Sequence, residues 1–280
     1  MIAGIVVLYE PEEKDIDNLK QYIGKVDYLL VLDNSAEDNY RRVNGAVQID
    51  GCHMIYEHFN KNIGLCAALN YGVSAAQKKG CQWALLMDED SSLATDIVGV
   101  YKRYIEQNDT SEAAVLAPVH LYDRSNASGY AGCKRVRWAM TSGCLYNIAL
   151  FEKSGGFLEE LFVEGLDLDY CYRAGESGYQ VIEFGEAQLL HHPAKTAEFR
   201  LFNKITLFKY GYADSHRYFM QARSLVWLIF RYRHLENIIM YFWKWFKVIF
   251  LFPHKMDYCR NMVRGSKEGY QLWKKCKKIK

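Results

Sequence analysis

Trp83-Ala84-Leu85-Leu86-Met87-Asp88-Glu89-Asp90-Ser91-Ser92 is an apolar run that ends abruptly in three carboxylates. An uninterrupted apolar stretch fits a buried strand, and the sudden acidity fits the point where that strand leaves the core. Three like charges side by side are costly unless a cation or solvent compensates them. In a strand-like turn Asp88 and Asp90 point the same way, so both reach one hard cation, which in turn bridges two phosphate oxygens. Taken alone, the triplet reads as well as a solvated acidic loop capping the next helix.

Outward from this strand, short apolar β-branched runs alternate with helical patterns. Strands are expected at 2–8, 28–33, 54–59, 82–87 and 113–118, and helices at 12–24, 63–80 and 94–107, which is the βαβ pattern of a largely parallel sheet. Polar residues gather where the strands end: Tyr9-Glu10-Pro11, Asp33-Asn34-Ser35 and the triplet. Ligands of open α/β sheets bind at that edge. Further on, 120–137 reads as a loop or short hairpin, 138–146 as strand-like, 148–154 as a short helix, 165–177 as a helix and 180–184 as a strand-like run. Beyond 200 the chain reads as aromatic and helical.

The composition is globular: of 280 residues, 50% are hydrophobic, 24% are charged and four are Pro. Eight cysteines are scattered without a CxxC pair, as reduced core residues would be. The chain opens directly into Ile2-Ala3-Gly4-Ile5-Val6-Val7-Leu8 with no basic leader, so the cytoplasm is the expected compartment. Residues 231–280 carry 13 Lys/Arg against three Asp/Glu, and residues 1–230 carry 22 against 30. A basic tail on an acidic body suggests contact with an anionic surface. The tail mixes Trp227, Tyr232, Tyr241, Trp243 and Trp245 with Arg231, Arg233, Lys244 and Lys247. Such helices lie in a lipid interface, here the inner face of the cell membrane, or pack on protein, either the body or a second copy in a homodimer. No nucleic-acid recognition module accompanies them. Beyond 200 the longest uncharged runs, Ser224 to Phe230 among them, are far short of the ~20 residues that span a bilayer.

Two further segments frame the triplet. Asn62-Ile63-Gly64-Leu65-Cys66-Ala67-Ala68-Leu69-Asn70-Tyr71-Gly72 is a helix with small residues along one side, suited to close approach of a sheet or a ligand. Phe162-Val163-Glu164-Gly165-Leu166-Asp167-Leu168-Asp169-Tyr170-Cys171-Tyr172-Arg173 places carboxylates at a helix start, where the dipole favours them. Asp167 also reads as an ordinary cap there, and Asp169 and Arg173 sit at pairing distance along the helix.

Together these segments resemble the family 2 glycosyltransferases over about residues 1–225, in the Asn-x-Gly helix just upstream of a carboxylate triplet and the acidic motif with Arg six positions on. The resemblance implies a GT-A fold, with a Rossmann-like, mostly parallel sheet flanked by helices, over residues 1–222, and a helical, basic and aromatic region over 223–280. It implies a donor site at Tyr9, Glu10, Asp33, Asn34, Asn62, Gly64, Asn70, Asp88, Glu89 and Asp90. Asp33 matches the base-recognising Asp, whose carboxylate accepts the imide N–H of uracil or thymine. Asp167 matches the general base that deprotonates the acceptor hydroxyl on the face opposite the leaving diphosphate, which inverts the sugar. Trp138, Thr141 and Ser142, with Glu164 and Arg173, fall on the acceptor side. His191, in Leu189-Leu190-His191-His192-Pro193, matches a metal-binding His that would join Asp88 and Asp90 around Mg2+ or Mn2+.

Within the family the likeness is greatest to bacterial rhamnosyltransferases that use dTDP-rhamnose in surface polysaccharide synthesis. UDP-galactofuranose transferases share much of the pattern. The acceptor implied is a saccharide or a lipid-linked saccharide. Departures are Glu89 inside the triplet, Glu164 where Asp is commoner and Tyr170 where Trp is frequent, and they bear on the donor. No GxGxxG turn or Gly-rich phosphate loop follows the first strand, which disfavours a dinucleotide oxidoreductase or nucleotidyltransferase. A non-catalytic carbohydrate-binding protein is the alternative of another class.

Overall fold

The computed structural model describes residues 1–47, 53–123, 127–191, 195–201 and 205–277. They form two compact units, Met1–Phe162 with Asp167–His192, and Val163–Leu166 with Pro193–Lys280.

The first unit is built on strands β1 Ile2–Leu8, β2 Tyr28–Asp33, β3 His53–His58, β4 Trp83–Asp88, β5 Ser92–Leu93, β6 Ala113–Leu121, β7 Cys133–Val136, β8 Cys144–Asn147 and β9 Gln180–Leu190. Its sheet runs β3-β2-β1-β4-β8-β6-β9-β5, with β7 also paired to β9. β1 to β4 are parallel, β8 runs antiparallel between β4 and β6, and β9 returns parallel to β6. Leu8 pairs with Asp33, and Val7 with Asp88. The ends of β1, β2 and β4 therefore lie level. Because β8 runs the other way, the residues that lead into it, Thr141-Ser142-Gly143, reach this same edge.

The helices are α1 Glu13–Asp17, α2 Tyr40–Val47, α3 Leu65–Lys78, α4 Ile97–Gln107, α5 Ile148–Lys153 and α6 Leu166–Glu176. β1 is buried throughout because both faces of the sheet are covered. Val6, Leu8, Val31, Leu85 and Met87 pack with Ile97, Val98 and Tyr101 of α4. On the other face Gly72 brings α3 so close that a Cβ there would lie 2.7 Å from Ile5 Cγ2 and 2.8 Å from Leu32 Cδ1.

Several expectations shift. The helix expected over 12–24 is a single turn, α1, followed by a 3-10 turn over Asn18–Tyr22. That break turns Asn18 and Gln21 toward the Glu89–Leu93 loop. α3 starts at Leu65 because Gly64, at φ +89°, is outside helical space. Of 138–146 only the end is strand. β9 is longer than 180–184, and α2 was not anticipated.

The second unit begins with a hairpin, β10 Lys195–Leu201 and β11 Ile205–Tyr212, and continues in α7 Ser215–Tyr232, α8 Leu235–Phe250 and α9 Lys255–Lys277. The hairpin replaces the helix expected just beyond 200. Its cross-strand Phe199–Phe208 stack, at 5.3 Å, shows aromatic residues serving a sheet. The expected boundary at 222/223 falls inside α7, and the two units divide near 192.

Candidate functional site

β4 ends by releasing Asp88 from the core. Its N–H donates to Ser142 Oγ at 3.1 Å, so the turn before β8 holds the carboxylate's backbone. The following loop is braced from outside: Asn18 Nδ2 donates to the carbonyls of Glu89 and Ser91, and Gln21 Nε2 to that of Ser91. Ser91 Oγ meets His191 Nδ1 at 2.8 Å, and that nitrogen lies 3.9 Å from Asp88 Oδ2. Asp88, Asp90 and His191 each offer a ligand atom within 4.8 Å of the others. Two carboxylate oxygens and an imidazole nitrogen form a hard-to-borderline donor set, and the trans span of ~4.2 Å around an octahedral Mg2+ is close to that separation. These residues therefore fit a divalent cation.

Glu89 does not join the cluster. Its carboxylate accepts from Tyr9 N–H at 3.0 Å and ties the ends of β1 and β4 together. Burial, with the neighbouring Asp15, Asp90 and Asp88, pushes its pKa up to about 8 against that hydrogen bond. Behind the cluster, His120 closes β6 with Nε2 2.7 Å from the Ser142 carbonyl and its ring 6.0 Å from that of His191. Burial lowers its pKa to about 4, so the imidazole is neutral and donates to that carbonyl.

The end of β2 is organised differently. Asp33 is fully buried, and its carboxylate accepts from Ser35 N, Asn39 N, Asn39 Nδ2 and Tyr56 OH. Burial alone would raise its pKa, but hydrogen bonds from Ser35, Tyr56 and Asn39 outweigh it and hold the group below the ordinary value. The expected base-reading carboxylate is thus filled by the chain's own donors. Asn34 lies beside it, with Nδ2 3.1 Å from Asn62 Oδ1 and Oδ1 accepting Ile63 N–H. Tyr9 is exposed, and Glu10 is left-handed at φ 51° with its N–H on Ser35 Oγ. Glu10 Oε1 accepts the Ala36 N–H.

Other expected contacts turn out to be internal ties. Asn62 Oδ1 accepts the Gly64 N–H, and a Cβ on Gly64 would lie 2.5 Å from the Phe162 ring, so this Asn-x-Gly turn packs against protein. Asn70 accepts from Phe157 N–H and donates to its carbonyl, clamping a distant turn. Arg173 pairs with Asp169 at 2.9 Å and donates to the Ser154 and Gly156 carbonyls, so its guanidinium braces the turn before α6. Thr141 and Ser142 are buried, with Ser142 Oγ accepting the Asp88 N–H and the Ser142 carbonyl on His120 Nε2. Trp138 is half-buried. Glu164, in the second unit, accepts from Arg217 at 2.7 Å and from Gln221.

Asp167 opens α6 half-buried, with Oδ1 accepting the Leu168 N–H at 2.9 Å. It and Asp88 both bear on the buried Cys144 thiol, whose pKa is raised first by burial and then by these charges among others. Asn18, Gln21, Asn39, Tyr56, Ser91 and His120 build the site and went unnoticed in the sequence. Only His120, a polar end to the apolar run of β6, carried a local signal.

Residues 16–132 match the family described as Glycosyl transferase family 2. The curled mixed sheet flanked by helices is, in keeping with that match, a GT-A-like fold. More particularly, the chain is 23% identical over 210 residues to the dTDP-rhamnosyl transferase RfbF of Shigella flexneri, covering 68% of each. Among solved structures it resembles S. aureus TarS, at TM-score 0.52 and 14% identity over 81% of this chain. It also resembles GalNAc-T7 with UDP, GalNAc and Mn2+, at TM-score 0.53 and 11% identity over 68% of this chain. The matched region spans 39% and 42% of those two chains.

Proposed function

We propose that the chain is a metal-dependent inverting glycosyltransferase that moves rhamnose from dTDP-rhamnose to a saccharide or lipid-linked saccharide in bacterial surface polysaccharide synthesis. The observation that carries this reading is the meeting of Asp88, Asp90 and His191 within 4.8 Å at the sheet edge. The donor is supported by the likeness to the Shigella rhamnosyl transferase. A bound Mg2+ or Mn2+ neutralises charge on the departing diphosphate. Asp88 and Asp90 supply oxygens to that ion, and Ser91 orients the His191 imidazole toward it. Tyr9, Glu10 and Asn34 border the nucleoside. Asp167 takes the proton of the acceptor hydroxyl, so that attack proceeds in line with departure and no covalent sugar–enzyme intermediate forms.

A panel of nucleotide sugars tests the reading. The purified chain is expected to bind and turn over dTDP-rhamnose with Mn2+ present and to lose both with EDTA. Preference for UDP-galactofuranose would replace the donor. Saccharide binding with no nucleotide-sugar binding at all would replace the enzyme by a carbohydrate-binding protein.

A further inference from the structure

α8 has its polarity reversed. Asn237, Lys244 and Lys247 recur along one side, the side that packs inward. Asn237 is fully buried, Lys244 Nζ donates to Gln221 Oε1 of α7 at 2.7 Å, and Lys247 Nζ donates to the Gly211 carbonyl at 3.1 Å. Burial lowers the Lys244 pKa to about 8. The opposite side carries Leu235, Ile239, Phe242, Trp243, Phe246 and Phe250, all exposed, with Leu235 at 67% and Phe242 and Phe250 at 64%. This is an unbroken apolar stripe at helical spacing. A helix designed for water places its ammonium groups outward and its Phe residues inward.

α9 extends the same surface. Its Gly265 and Gly269 press on α7, where a Cβ would lie 2.2 Å and 2.1 Å from the Phe219 and Arg223 carbonyl oxygens. α9 exposes Met256, Arg260, Val263 and Lys267, and at the margin of this stripe the exposed Arg264 lies over the Phe219 ring of α7, 4.3 Å from its centroid. Tyr241 and Ser266 hydroxyls meet at 2.7 Å and set α8 beside α9. Each of these adjoining helices thus carries an exposed stripe, one apolar and aromatic, the other apolar and cationic.

We infer that this two-helix face is a docking surface for an anionic lipid bilayer, in which the α8 rings enter the headgroup–acyl boundary and the α9 cations meet lipid phosphates. Charge decides between occupants. Exposed Asp257 lies 3.7 Å from Arg260, but Arg260, Arg264 and Lys267 leave this part of α9 net cationic, so a second copy would bring like charge against like, whereas an anionic lipid surface complements it. No helix among the described residues is long and apolar enough to cross a membrane, so the contact is one of lying on the surface. The inference is independent of the donor-site reading, because it uses only residues of the second unit.

Co-sedimentation of the full chain tests it, with vesicles of phosphatidylcholine alone and with about 30% phosphatidylglycerol. The chain is expected to pellet with the anionic vesicles. Phe242→Ser with Phe246→Ser should weaken that binding by on the order of tenfold or more. Arg260→Ala with Lys267→Ala should cost on the order of fivefold per cation on anionic vesicles and leave neutral ones unaffected. The charge variant alters only the exposed Arg260 and Lys267, so it keeps the test valid if the apolar variant misfolds. A wild-type chain that stays in the supernatant overturns the inference, as does a charge variant that pellets like wild type. Dissociation of a lipid-free dimer by the Phe242 and Phe246 changes, seen in sedimentation velocity, assigns the face to a second copy and also overturns it.

Discussion

The ends of β2 and β4 sit level on one sheet edge, and each ends in an aspartate, yet the two have opposite fates. Asp33 is buried with four donors from its own chain on its carboxylate. Asp88 is 35% exposed and converges with Asp90 and His191. Position at the strand edge makes a carboxylate available to a ligand only if the fold leaves its lone pairs for one. Asp33 is spent on fixing the turn after β2, whereas Asp88 lies in the proposed cation cluster.

The largest effect is expected at the third carboxylate. Asp167→Asn should lower sugar transfer by on the order of 10²- to 10⁴-fold while nucleotide-diphosphate binding survives, as read by turnover and calorimetry on one preparation. Full transfer by that variant would remove Asp167 as the base. Next comes the contrast itself. Asp33→Ala strands buried donors on Ser35, Asn39 and Tyr56 and should lose about 3 kcal/mol in urea unfolding. Asp88→Ala, which relieves repulsion with Asp90, should stay within about 0.5 kcal/mol. Equal losses at both would break the comparison.

Gly64→Ala should cost about 1–3 kcal/mol, because φ is +89° and the new Cβ meets the Phe162 ring. A neutral result in thermal melts would show that the turn yields. The smallest effect is in acid. Asp33 has a folded pKa below its unfolded value, so its contribution is complete above the unfolded pKa and fades as pH falls through the folded one. Asp33→Asn should therefore flatten the acid limb of stability against pH, and an unchanged limb would show that other carboxylates carry it.

The sheet was legible because β1, β2 and β4 are continuous apolar runs, and Asp88 with Asp90 because i, i+2 spacing on an extended turn puts two carboxylates on one side. The hydrogen-bond commitments were not legible. Asn70 finds Phe157 87 residues away and Asp88 finds Ser142 54 residues away, and such partners leave no local pattern. Arg173 shows the middle case, since its pairing with Asp169 follows from helical spacing but its hold on Ser154 and Gly156 does not. The hairpin at 195–212 was hidden because aromatic residues suit strands and helices alike. In α8 the period was readable, but which stripe faces inward depends on α7.

The central claim is that the end of β4 holds a cation for a diphosphate. Calorimetric titration of dTDP in the presence of Mn2+ tests it most directly, on the wild-type chain and on Asp88→Ala with Asp90→Ala. Binding by the wild type that disappears in the variant and on adding EDTA is the result expected. Undiminished Mn2+-dependent affinity in a folded variant would contradict it.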